Sequence, residues 1–135
     1  MPSFPAEEIE RLDADAIELS REVFDKVTSN LPSASAPGAN YWRWEHVKVL
    51  KCGAETGDSL FGLCCHLAKG FLPEEVRNYF AGARLVAFLK DPDGDRTKLQ
   101  PLAAGDVFRK LVGKVICRQL AGPFQAHFCG SAAPD

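Results

Sequence analysis

The sequence has no apolar run of the roughly 18–20 residues that cross a bilayer. Its opening stretch, MPSFPAEEIERLD, is acidic where a signal peptide needs a basic start and an apolar middle. The chain is therefore expected to be intracellular, nuclear or cytoplasmic, not secreted, and without a membrane partner. Cysteine is scarce: Cys52, Cys64, Cys65, Cys117 and Cys129 are odd in number and form no Cys-x-x-Cys pair. That argues against a disulfide framework and against a zinc site, and leaves the five as small apolar fillers. A phosphate-binding Gly-x-x-x-x-Gly-Lys-Ser/Thr and a dinucleotide-binding glycine fingerprint are also missing. What is present is an ordinary globular composition, 135 residues with 46% hydrophobic and 25% charged. That is enough for one domain with a core of its own.

The formal net charge of -2 conceals a gradient. Residues 1–30 carry eight acids against three bases (Arg11, Arg21, Lys26), and the other 105 residues carry ten acids against thirteen bases. From Arg96 to Arg118 the bases are Arg96, Lys98, Arg109, Lys110, Lys114 and Arg118, and the sole acid is Asp106. Such an excess suits a polyanionic partner or forms a solvated basic face.

Hydrophobic periodicity predicts an amphipathic helix with an acidic outer face over residues 5–28. A Ser/Pro/Gly/Asn-rich loop follows over residues 29–40. An aromatic-rich helix is expected over 41–50, and a second helix over 58–69 after breaks at Gly53 and Gly57. Gly70 is its left-handed cap. Pro73 and two glutamates open a short helix ending near Phe80. The continuous apolar run 84–90, the turn-forming Asp91-Pro92-Asp93-Gly94-Asp95 and a second extended run over 97–102 read as a β-hairpin with its tight corner at Asp93-Gly94. Pro101 restricts the second strand to a sheet edge or to its own end. From about 105 to 121 the period returns to 3.6. Val107, Phe108, Leu111, Val112, Val115, Ile116 and Leu120 share one face up to a break at Gly122-Pro123, and Lys110, Lys114 and Arg118 form a basic stripe on the other. The expected fold class is thus α+β and mostly helical, with N-terminal helices, one β-hairpin at about 84–102 and a long basic amphipathic helix at about 105–121.

Several local patterns carry no chemistry. Asp91-x-Asp93-x-Asp95 copies the start of a calcium loop, but Arg96 and Leu102 stand where that loop needs a glycine and a bidentate glutamate. Adjacent residues on a helix point about 100° apart, so Cys64, Cys65 and His66 cannot share a metal. Cys129 with His127 lacks a third orienting group.

The order of segments resembles a family. Ser35-Ala36-Pro37-Gly38-Ala39-Asn40 and Glu45-His46-Val47-Lys48 are similar to a Ser-Ala-Pro-Gly-x-Asp-Gly loop and a Glu-His-Leu-Lys helix. Ala83-Arg84-Leu85-Val86-Ala87-Phe88-Leu89-Lys90 matches a strand reading Ala-Arg-Leu-Val-Ala-Leu-Pro-Lys. Residues 100–114, from Gln100-Pro101-Leu102 through Arg109-Lys110-Leu111 to Lys114, match Arg-Pro-Ile-Ala-x-Gly-x-x-x-Arg-Arg-Leu-x-x-Lys. Together they resemble the N-terminal fingers part of the reverse transcriptase domain of non-LTR (LINE-like) retrotransposons. The likeness spans about residues 31–128, and the expected division is residues 1–30, a separate acidic amphipathic helix outside it, and residues 31–135, the truncated fingers segment. Asn40 replaces the loop acid, and Gln100 replaces an arginine that in the family meets the incoming triphosphate.

The resemblance implies a partial polymerase fingers region. Lys90 and Arg109 would contact the dNTP triphosphate, while Lys98, Lys110, Lys114, Arg118, Pro37, Gly38 and Asn40 would contact an RNA or DNA template. Mg²⁺, which the family needs for phosphoryl transfer, would be held by carboxylates of a palm beyond this segment. No Asp-Asp pair occurs in this sequence. The expectation is therefore a truncated fingers segment without catalytic residues, metal site or cofactor of its own, separated from palm and thumb, binding template weakly and inactive in isolation. A second reading is a small helical protein-interaction module whose basic stripe is merely solvated.

Overall fold

Each helix buries the apolar stripe that its sequence spaces at three and four residues. In the computed structural model, which describes residues 17–70, 72–91, 93–95 and 97–129, these stripes meet in one core. The elements are helices α1 (Arg21–Ser29), α2 (Trp44–Cys52), α3 (Ala54–Lys69) and α4 (Glu74–Ala81), strands β1 (Ala83–Leu89) and β2 (Leu99–Gly105), and helix α5 (Val107–Cys129). The fold is α+β and mostly helical. Phe24, Val47, Cys64, Leu111 and Val115 are fully buried, so α1, α2, α3 and α5 contribute jointly to the core. Withdrawing each large side chain from water contributes roughly 1.5–3 kcal/mol. Edge-on aromatic contacts bind the core to the loop before α2 and to α4: Trp42 and Phe80 lie 5.1 and 5.8 Å from Phe108.

Several boundaries differ from expectation, each for a visible reason. The first helix starts at Arg21, and residues 17–20 are not helical; the rest of its expected span lies outside the described residues. Ser20 caps α1 by accepting from the Val23 amide. The Gln119 carboxamide donates to the Glu18 carbonyl at 2.7 Å and accepts from the Ser20 amide at 3.0 Å, so α5 takes backbone groups that a longer helix would use. Tyr41 stands outside α2 at φ 61°. Gly57 does not break a helix. It is buried inside α3, where an added Cβ would lie 3.3 Å from the Lys51 carbonyl oxygen, so its lack of a side chain allows α3 to press on the end of α2. Gly70 is the left-handed cap, at φ 73°.

The two strands pair antiparallel from Ala83↔Gly105 to Leu89↔Leu99. Their connection is not a tight corner but runs over residues 90–98. Its turn is Asp91–Gly94, closed by the Gly94 amide on the Asp91 carbonyl. Asp at the first place and Gly at the fourth are what such a turn prefers. Both strands are edges of a two-stranded sheet, which tolerates Pro101. α5 continues through Pro123 to Cys129. Gly122 has no Cβ to clash with the proline ring, which removes part of the usual obstacle to helix before proline. Of the five cysteines only Cys64 is a buried filler. Burial pushes its thiol up to about 12, Cys65 is half-buried, and Cys52, Cys117 and Cys129 are exposed.

Candidate nucleic-acid interface

Helix α5 is fixed by its buried face, Val107, Phe108, Leu111, Val112 and Val115, and by its cap. The Asp106 carboxylate accepts from the Phe108 amide at 2.8 Å through Oδ1 and from the Asn40 side-chain amide at 3.2 Å through Oδ2. Asp106 is 1% exposed, and both its oxygens are thereby satisfied. With that face committed, Lys110, Lys114 and Arg118 stand exposed, about 6 Å apart by helical rise, along the flank of the buried face and not opposite it as the spacing suggests. Lys114 Nζ lies 5.9 Å from the ring of Trp44, a cation–π contact that directs the ammonium without neutralising it.

The bases divide into engaged and available ones. Arg21 is paired with Asp58 and Asp25, and a hydrogen bond to Asp58 foremost raises its pKa. Lys51 is paired with Asp25, and that hydrogen bond holds the carboxyl below its ordinary range. Arg109 is exposed, and one nitrogen of its guanidinium, Nη1, donates to the Ala81 and Phe80 carbonyls at 3.0 and 3.5 Å, closing the end of α4. Lys110, Lys114 and Arg118 have no carboxylate partner among the described residues.

Lys90 and Lys98 are joined across the hairpin by the Lys90 amide on the Lys98 carbonyl. Both are exposed, and Lys98 lies 3.8 Å from Asp95. Arg109 sits at the opposite, root end of the ladder. Lys90 lies seven strand steps from Ala83 at that root, roughly 23 Å at about 3.3 Å per residue, and the structure does not bring Lys90 and Arg109 together around one triphosphate. By strand alternation Gln100 shares a face with Lys90 and Lys98.

Pro37 and Gly38 are buried. Gly38 lies against the root of the hairpin, where an added Cβ would stand 2.7 Å from the Gly105 carbonyl oxygen and 3.0 Å from Asp106 Cα. Asn40 also donates to the Tyr79 carbonyl at 2.7 Å. An aspartate at position 40 would confront the Asp106 carboxylate without a proton to donate. The Glu45-His46-Val47-Lys48 segment holds this loop. Glu45 accepts from the Ala34 amide, which lowers the pKa of its carboxyl, and Lys48 donates to Ser33 Oγ at 2.9 Å. His46 accepts from the Arg43 amide and caps its own helix.

Two clefts of similar size, each about 320 Å³, open on the surface with opposite chemistry. One is apolar, between Trp42, Leu60, Tyr79 and Phe108. The other lies between α1 and α5 and is lined by Lys26, Val27, Asn30, Lys114 and Arg118. Lys26 is not among the expected contact residues, because the charge count places it on an acidic helix. Its signal lay in its place beside Val27, at the edge of the α1 stripe that faces the core. Among the described residues no three His, Cys, Asp or Glu side chains converge to hold a metal ion. Likewise, no helix among them is long and apolar enough to cross a membrane. No family model, curated protein or solved structure matches the chain.

Proposed function

We propose that this chain is a fingers segment of an RNA-directed DNA polymerase of the non-LTR retrotransposon type, in which the α5 stripe contacts the template backbone. The observation that carries this reading is spatial. The separate segments that resemble the family lie together: Gly38 against Gly105, Asn40 on Asp106, and Glu45 and Lys48 on the loop between. Their junction leads directly into a helix whose three cations are unpaired among the described residues. The palm carboxylates are not supplied by this sequence, so the chain binds nucleic acid and performs no phosphoryl transfer of its own. The dNTP contact belongs to Lys90, with Gln100 beside it on the same face. Gln100→Arg therefore strengthens binding of a nucleoside triphosphate.

The test is salt-dependent binding of a labelled oligouridylate or oligodeoxythymidylate. Wild type binds without sequence preference, and replacing Lys110, Lys114 and Arg118 together by Glu abolishes most of the affinity. Primer extension with Mg²⁺ or Mn²⁺ stays at background. The competing reading, a protein-interaction module, is favoured by the exposed apolar hairpin, where Leu85 and Leu99 are 73% and 59% exposed. It replaces the polymerase reading if folded wild type shows no salt-sensitive affinity for either oligonucleotide.

A further inference from the structure

We propose that the cleft between α1 and α5 is a groove for the phosphate backbone of a single-stranded nucleic acid, with Lys26 a contact residue beside Lys114 and Arg118. This rests on the reading of α5 as a template-contacting helix and adds to it a second wall from α1. Cations from two elements far apart in sequence converge on one open cleft of about 320 Å³. Val27 adds an apolar side chain to its lining, and the α1–α5 register is pinned by the Gln119 carboxamide on Glu18 and Ser20.

The opposing charge is limited. Glu22 Oε1 lies 2.7 Å from Lys26 Nζ, and the carbonyl end of α1 adds roughly half a negative charge. Three full positive charges outweigh these. Glu22 is also 77% exposed, so a phosphate that reaches Lys26 displaces a solvated partner and not a buried one. The cleft opens onto the α5 stripe, where Lys110 stands one turn before Lys114. This row of cations suits a chain of phosphates better than a single enclosed anion.

The groove is distinguished from the stripe by four single variants of the full chain, assayed with a fluorescein-labelled oligouridylate over a range of salt concentrations. Circular dichroism verifies the fold of each variant. Lys26→Gln and Lys114→Gln each reduce the slope of log affinity against log salt by about 0.7. Lys69→Gln, the same charge change at an exposed site on α3, leaves it unaltered. Glu22→Gln frees Lys26 and raises affinity several-fold, a gain that a purely structural Glu22–Lys26 pair does not produce. If Lys114→Gln lowers the slope while Lys26→Gln and Glu22→Gln match wild type, the groove is wrong and the stripe stands. If wild type itself shows no salt-sensitive binding, the template-contacting reading fails and the groove with it.

Discussion

The helical body and the hairpin treat the same kind of residue in opposite ways. In the body, Phe24, Val47, Leu111 and Val115 are fully buried. In the hairpin, Leu85, Phe88, Leu99 and Leu102 are all more than half exposed, and the strands pack chiefly on each other, with sparse contact to the helices. Alternation along β1 and β2 places Ala83, Leu85, Ala87, Leu89, Leu99, Pro101 and Ala103 on a single face without a polar side chain. The last turns of α5 behave likewise, Phe124 and Phe128 being 56% and 70% exposed. The body holds itself together. The hairpin and the helix tail present apolar surface that only association removes from water, and two free strand edges add to that tendency.

Substitutions sharpen this contrast, beginning with the largest effect. Phe24→Ala empties a fully buried site and lowers unfolding free energy by about 3–5 kcal/mol in urea titration. Leu85→Ser changes it by less than about 0.5 kcal/mol and shifts size-exclusion elution toward monomer. Equal destabilisation by both would show that the hairpin belongs to the core. At the junction of the two regions, Gly38→Ala forces a methyl group into the Gly105 backbone and destabilises by about 1–3 kcal/mol, with local loosening at β2 in hydrogen exchange. Next, Asp106→Ala removes the α5 cap and leaves the Asn40 amide short of one acceptor, a loss of about 1–2 kcal/mol.

The smallest effect is a pH dependence on the helical side. Lys51 holds the Asp25 carboxyl below its ordinary 3.8, and the Ala34 amide holds Glu45 below 4.5. A lowered carboxyl contributes stability that is complete above the unfolded value and lost as pH falls through the folded one. Thermal melts therefore weaken below about pH 4, and Asp25→Asn or Glu45→Gln flattens that decline. A decline unchanged in both variants would mean that neither carboxylate contributes.

Much of this was legible in the sequence, because periodicity states which face is apolar. The buried face of α5, the alignment of Lys110, Lys114 and Arg118 in one row, the left-handed cap at Gly70 and the existence of the hairpin are all legible in the residues. What spacing cannot state is which element lies beside which. Lys26 was assigned to an acidic helix by counting charges along the chain, whereas the Gln119 clamp places it across from Lys114 and Arg118. Arg109 reads in the sequence as a cation of the basic run, and its hydrogen bond to the end of α4 is not visible there. Asp106 stood out only as an acid in a basic run, although Asp before a helical pattern is itself a cap signal. Gly57 has a helix-breaking propensity that tertiary packing overrides.

The most direct measurement of the nucleic-acid reading is lysine footprinting by acetylation and mass spectrometry, with and without saturating oligouridylate. Template binding on the α5 face and its α1 wall protects Lys110, Lys114 and Lys26, while Lys69 on α3 is modified to the same extent in both samples. Equal modification of all four lysines, or protection confined to Lys69, would contradict it.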